Sequence, residues 1–153
     1  KINTKEILDR DADYSRDPSP EINPLTVETP SEEELLYLLR NWLNVKSEIL
    51  SGRQNKYLMT IARKNLAQRV IQQRNEDKSK GEVQNIKASI RSMKLIERSS
   101  VRIALKAMLS YKDQRLDSDG NILSETIIPD LKVTYIFGRD FDQWRLHEYI
   151  SGD

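Results

Sequence analysis

The sequence contains no cysteine among its 153 residues. Disulfide staples, thiolate metal sites and cysteine nucleophiles are therefore excluded, and a reducing compartment is allowed. Histidine occurs once, at His147. A Ser-His-Asp arrangement would have to use it, yet no G-x-S-x-G turn marks a nucleophile, so His147 reads as a strand or surface residue. The five glycines, Gly52, Gly81, Gly120, Gly138 and Gly152, are too scattered for a phosphate loop or a dinucleotide fingerprint. No apolar run approaches the ~20 residues that a membrane-crossing helix needs. The start lacks a signal-peptide pattern, and Lys1 where Met would stand reads as a trimmed or processed chain.

One acidic fragment raises the metal question. Asp117-x-Asp119-Gly120 resembles part of an EF-hand loop, but aligning Gly120 with the loop glycine puts Arg115 at the first ligand position and Thr126 at the last. Both required carboxylates are missing, so the fragment is read as a turn. No metal and no cofactor are expected, and the chain reads as non-enzymatic.

What the sequence has in quantity is charge, and it is arranged in blocks. Lys1 to Val45 carries 5 Lys/Arg against 10 Asp/Glu, Lys46 to Leu116 carries 17 against 6, and Asp117 to Asp153 carries 3 against 8. An overall net charge of +1 thus conceals an acidic–basic–acidic pattern. A basic middle segment suits either nucleic acid or acidic protein segments. The apolar fraction of 37% is below the ~45–50% usual for globular domains, which suggests an elongated shape or a fold completed by partners.

Three regions are expected. Residues 1–30 contain Pro18, Pro20, Pro24 and Pro30 and read as an extended acidic arm, with one short helical turn around Thr4 to Asp9. Residues 31–116 read as a helical domain. Its first helix begins at Ser31, where Glu34 three residues later completes a capping box, and Leu35, Leu38, Leu39, Trp42, Leu43, Ile49 and Leu50 follow at helical spacing. Ser51 and Gly52 read as a stop, and a second helix from about Arg53 to Arg74 carries Leu58, Ile61, Ala62, Leu66 and Val70 inward. Lys56, Arg63 and Arg74 then form a basic ridge of candidate phosphate contacts. After a polar turn at Asn75 to Gly81, the spacing predicts a third helix from about Glu82 to Arg115, with Val83, Ile86, Ile90, Met93, Val101, Ala104, Leu105 and Met108 on one side. Arg91, Arg98, Arg102 and Lys106 would flank that stripe, and Ile96 with Ile103 would mark a second face for partner packing. Glu97 would lie in the stripe, paired with an arginine such as Arg69.

Beyond Leu116 the apolar period changes from 3.6 to 2. Residues 117–153 read as a small β-hairpin tail, with Val133, Tyr135 and Phe137 alternating, a loop at Gly138 to Asp142, and Trp144, Leu146 and Ile150 as a third strand or a short helix.

The expected fold is therefore mainly α, a three-helix core with a long helical hairpin, an extended arm and a C-terminal β-hairpin. The expected function is a non-enzymatic structural subunit, an adaptor or connector of a larger particle such as a virion neck, located in the cytoplasm or a virion. Its partners would be other protein subunits, including copies of itself. The alternative is a basic helical nucleic-acid-binding module, with few aromatics for base stacking.

Overall fold

The computed structural model describes residues 21–152; the expected turn at Thr4 to Asp9, and with it most of the proposed arm, lies outside them. Among the described residues three helices come first: α1 (Glu32–Leu50), α2 (Leu58–Ile61) and α3 (Lys64–Ser79). Four strands follow, β1 (Val83–Arg98), β2 (Arg102–Leu116), β3 (Ile122–Asp140) and β4 (Gln143–Ser151). The strands form one antiparallel meander in the order β1-β2-β3-β4.

The mainly α expectation is overturned, because strand accounts for 46% and helix for 30% of the described residues. The correction falls on residues 82–116, where a single long helix was expected and a β-hairpin is found. The spacing of four between Ile86 and Ile90 fits both a 3.6 and a 2.0 period. From Ile90 to Met93 the spacing is three, which looks helical, but the β1–β2 register shifts between Ile90 and Ser92. One extra residue at that bulge lets Ile86, Ala88 and Ile90, then Met93 and Leu95, share a face. In β2 Ile103, Leu105, Ala107 and Leu109 recur at every second position and join the core, although Ala104 between them is also buried. The reversal between the strands is tight. Ser99 N–H donates to the Arg102 carbonyl (2.8 Å), and the Ser99 hydroxyl accepts from Arg102 N–H (3.0 Å).

The first expected helix forms as read. The Ser31 hydroxyl accepts from Glu34 N–H (3.1 Å), and the Glu34 carboxylate accepts from Ser31 N–H (2.9 Å), which satisfies two orphan donors at the helix start. Leu35, Leu38, Leu39, Trp42, Val45 and Ile49 are buried against one face of the sheet, and Ser47 ties the helix to β1 by donating to the Ile86 carbonyl (2.9 Å). The second expected helix is broken. Ala62 and Arg63 are extended, Ala62 bridges Leu146 of β4, and the main helix starts at Lys64. It then runs through the expected polar turn as far as Ser79, with the turn confined to Lys80 and Gly81.

At the C-terminal end the Asp117 carboxylate accepts from the Asp119 and Asn121 amides, both at 2.9 Å, and closes the β2–β3 turn that the sequence predicts. β3 continues through Gly138, so the expected loop shrinks to Phe141 and Asp142, both with positive φ. Such a pair matches the turn geometry that suits a two-residue hairpin. Gly138 has no Cβ for a reason: one added there would lie 2.0 Å from the His147 ring.

Residues 21–30 lie across the end of the sheet. Trp144 N–H donates to the Leu25 carbonyl (2.8 Å), its indole N–H to the Val27 carbonyl (2.9 Å), and Arg98 to the Pro30 carbonyl (3.1 Å). One layer of helices therefore covers one face of the sheet, and among the described residues no helix covers the other.

Candidate protein-docking surfaces

The cations singled out in the sequence each have their own local contacts. Lys56 stands over the Tyr57 ring at 5.3 Å. Arg63 precedes α3, with its guanidinium 3.8 Å from Asp140. Arg74 turns inward and donates to the Glu82 carbonyl (2.8 Å). Lys56 and Arg63 lie outside α3 and Arg74 within it, so the three do not share one helix.

The second expected group belongs to strands, not to a helix flank. Arg91 pairs with Asp130 and also donates to the Pro129 carbonyl. Arg102 pairs with Glu97 at 2.9 Å, so Glu97 is half-exposed and its partner is not Arg69. Lys106 faces Lys94 across the β1–β2 ladder, on the open side of the sheet. The Ile96–Ile103 pair is split, because Ile96 is 45% exposed and Ile103 0%.

Two ionic clusters hold elements together. Asp77 at the end of α3 accepts from Arg115 (2.7 Å), Gln73 (3.0 Å) and Gln84 (3.0 Å), and Arg115 also meets Glu82 at 3.3 Å. Burial pushes the Asp77 carboxyl up, but the hydrogen bonds from Arg115, Gln84 and Gln73 outweigh it and hold the group below its ordinary value. The cluster locks α3 to β1 and β2. At the other end of the sheet Asp140 accepts from Arg145 Nε (3.0 Å) and Nη2 (2.9 Å) and from His147 Nε2 (2.8 Å). Burial raises this carboxyl too, and the His147 and Arg145 hydrogen bonds again lower it on balance. Arg145 reaches on to the Met59 carbonyl (3.2 Å), and Gln143 to the Thr60 carbonyl (2.6 Å), so the cluster clamps α2 to β4. His147 and Asp140 resemble two members of a catalytic triad, but no hydroxyl is hydrogen-bonded to His147 among the described residues. Nor do three or more His, Asp or Glu gather where a metal could sit, among the described residues.

The open feature of the helical layer is an apolar groove of about 790 Å³ between α2 and the outer side of α3. Leu58 and Ala67 form its floor, and Met59 and Ile71, 46% and 45% exposed, stand at its rim. The sequence reading missed it. Its signal was Ile71 beside Val70, an apolar residue that the single inner stripe of the expected second helix leaves over.

The fold defines a class: a small domain in which an antiparallel meander is covered on one face by helices among the described residues. Residues 36–147 match the family described as ARC6-like, IMS domain. The chain belongs to that family. The structure is similar to the crystal structure of the intermembrane space region of chloroplast protein ARC6, with a TM-score of 0.64 and 14% identity over 80% of this chain and 96% of that one. A search of curated proteins finds no match. Family membership overturns the expectation of a virion-neck connector, the nucleic-acid-binding helical module and the cytoplasmic or virion location. No helix among the described residues is long and apolar enough to cross a membrane.

Proposed function

We propose that this chain is a non-catalytic protein-docking domain that works between two membranes, as the name of the ARC6 region states for that protein. The observation that carries this reading is the family match across residues 36–147. The apolar groove under Met59 and Ile71 supports it, since half-exposed large apolar side chains around a concavity suit a partner side chain better than water.

The test uses the full-length protein in intact organelles. Protease added outside should leave the domain intact until the outer membrane is opened, and a photo-crosslinker at Gln72, beside the groove, should yield one discrete protein adduct. Changing Met59→Glu together with Ile71→Glu should abolish that adduct while the melting temperature stays within a few degrees. Degradation before the membrane is opened, or an adduct indifferent to the double substitution, would overturn the proposal.

A further inference from the structure

The face of the sheet that no helix covers carries a set of cations. Side chains directly opposite across an antiparallel ladder share a face and stand ~5 Å apart. The register therefore brings Lys94 together with Lys106, and Lys87 with Lys112. On the next ladder Lys106 stands opposite Thr134, and Met108 opposite Lys132. Like charges set opposite each other weaken a sheet. Other cations of the strands meet carboxylates: Arg91 meets Asp130, Arg102 meets Glu97, and Lys112 meets Glu125 at 3.6 Å. Lys94 and Lys106 meet none among the described residues.

Protection of a sheet edge is the ordinary reason for a lysine in a strand. It accounts for Lys87 and Lys94, which lie on the edge strand β1, but not for Lys106 on the interior strand β2 or Lys132 on the interior strand β3. Around these residues the face sinks into a depression of about 240 Å³, lined by Ser92, Lys94, Lys106, Lys132 and Thr134 with the apolar Met108 among them. No carboxylate lines it. Ammonium groups and hydroxyls there supply donors with no acid to neutralise them, although Lys132 has a contact of its own. Glu125 is already paired with Lys112, and Glu148, opposite Ile136, does not line the depression. The same face also exposes apolar side chains. Ile150, opposite Thr134, is 52% exposed, and Ile127, opposite Lys112, is 59% exposed.

We propose that this face lies against a membrane surface that carries anionic phospholipids, with a lipid phosphate in the depression between Lys94 and Lys106 and with Ile127 and Ile150 at the headgroup boundary. Two features favour a membrane over an acidic peptide. The lysines are spread over three strands in the plane of a sheet face rather than along a line. Exposed isoleucines stand among them, so the surface complements a plane that is anionic outside and apolar beneath. The inference rests on the reading that the domain works between two membranes, which brings such a surface within reach. The helices and the groove at Met59 and Ile71 lie on the other face of the sheet, so lipid on one side leaves the protein-docking side accessible.

The test is flotation of the full chain with vesicles of phosphatidylcholine alone and with vesicles that also contain phosphatidylglycerol. Binding is expected only to the anionic vesicles and should disappear at high salt. The substitution Lys94→Glu, or Lys106→Glu should the first fail to fold, should weaken that binding by roughly tenfold or more. Its melting temperature should hold or rise, because a like-charge pair becomes an attractive one. Lys78→Glu, the same change of charge at an exposed position on α3, should leave binding nearly unchanged. Equal losses from the two substitutions would reduce the effect to net charge and overturn the proposal. So would the absence of binding to anionic vesicles at low salt, or binding indifferent to Lys94→Glu. A polyglutamate peptide that binds where vesicles do not, and is lost with Lys94→Glu, would replace the membrane by an acidic protein segment. Each of these outcomes leaves the protease and crosslinking tests in organelles to judge the docking reading by themselves.

Discussion

Two regions of this chain carry similar apolar spacing and fold differently. In Glu32–Leu50 leucines and a tryptophan recur every three or four residues, and the segment is a helix. In Val83–Leu116 isoleucines, methionine and leucine recur at comparable intervals, and the segment is two strands. The helix has a capping box, three acidic residues in its first turn and a leucine-rich inner face. The second region has β-branched residues at Val83, Ile86, Ile90, Ile96, Val101 and Ile103, and Ser99-Ser100 at its middle. Comparable spacing therefore distinguishes the two periods only when residue type and termini are read with it.

The largest test of that contrast compares Ile103 with Ile96. On a continuous helix the two would share a face and cost the same when truncated. In the hairpin Ile103 is fully buried and Ile96 is not, so Ile103→Ala should cost ~2–5 kcal/mol by denaturant unfolding, whereas Ile96→Ala should stay within ~0.5 kcal/mol. Equal losses would restore the helix.

Next in size is the lock between α3 and the hairpin. Arg115→Ala leaves Asp77 buried without its cation and should cost about 2 kcal/mol, less than the ~3–5 kcal/mol of a fully buried pair because Arg115 is partly solvated. The pH dependence follows from the lowered Asp77 carboxyl. A carboxyl whose folded value lies below its unfolded one adds stability that is complete above ~4 and is lost as pH falls through the folded value. Asp77→Asn should remove that part of the acid sensitivity, and an unchanged slope of stability against pH below ~4 would show that the lock does not titrate.

The smallest test concerns the helix that sequence reading identified. Ser31→Ala deletes one half of the capping box and should cost ~1 kcal/mol, while Ser31→Gly should cost only a few tenths. A larger loss for glycine would mean that backbone freedom, rather than the hydroxyl, sets the start of α1.

The same comparison explains what was legible in the candidate surfaces. The basic residues Arg91, Arg98, Arg102 and Lys106 were noticed because charge is visible in sequence, but their partners are not. Arg91 meets Asp130 and Arg98 meets the Pro30 carbonyl, contacts between residues distant in the chain. Met59 and Ile71 were passed over because an exposed apolar residue looks like a core residue until its neighbours are known.

The sequence by itself determined α1 and its cap, the turn at Asp117–Gly120, the alternation from Val133 to Phe137 and the absence of thiol chemistry, because each depends on residues close together in the chain. The tertiary structure decided that residues 82–116 are strands, that Ile103 is core and Ile96 surface, and that β3 outruns β4. Four-residue spacings satisfy both periods. Only the long-range ladder, with Val83 opposite Leu116 and Leu105 opposite Tyr135, supplies the hydrogen bonds and burial that choose between them.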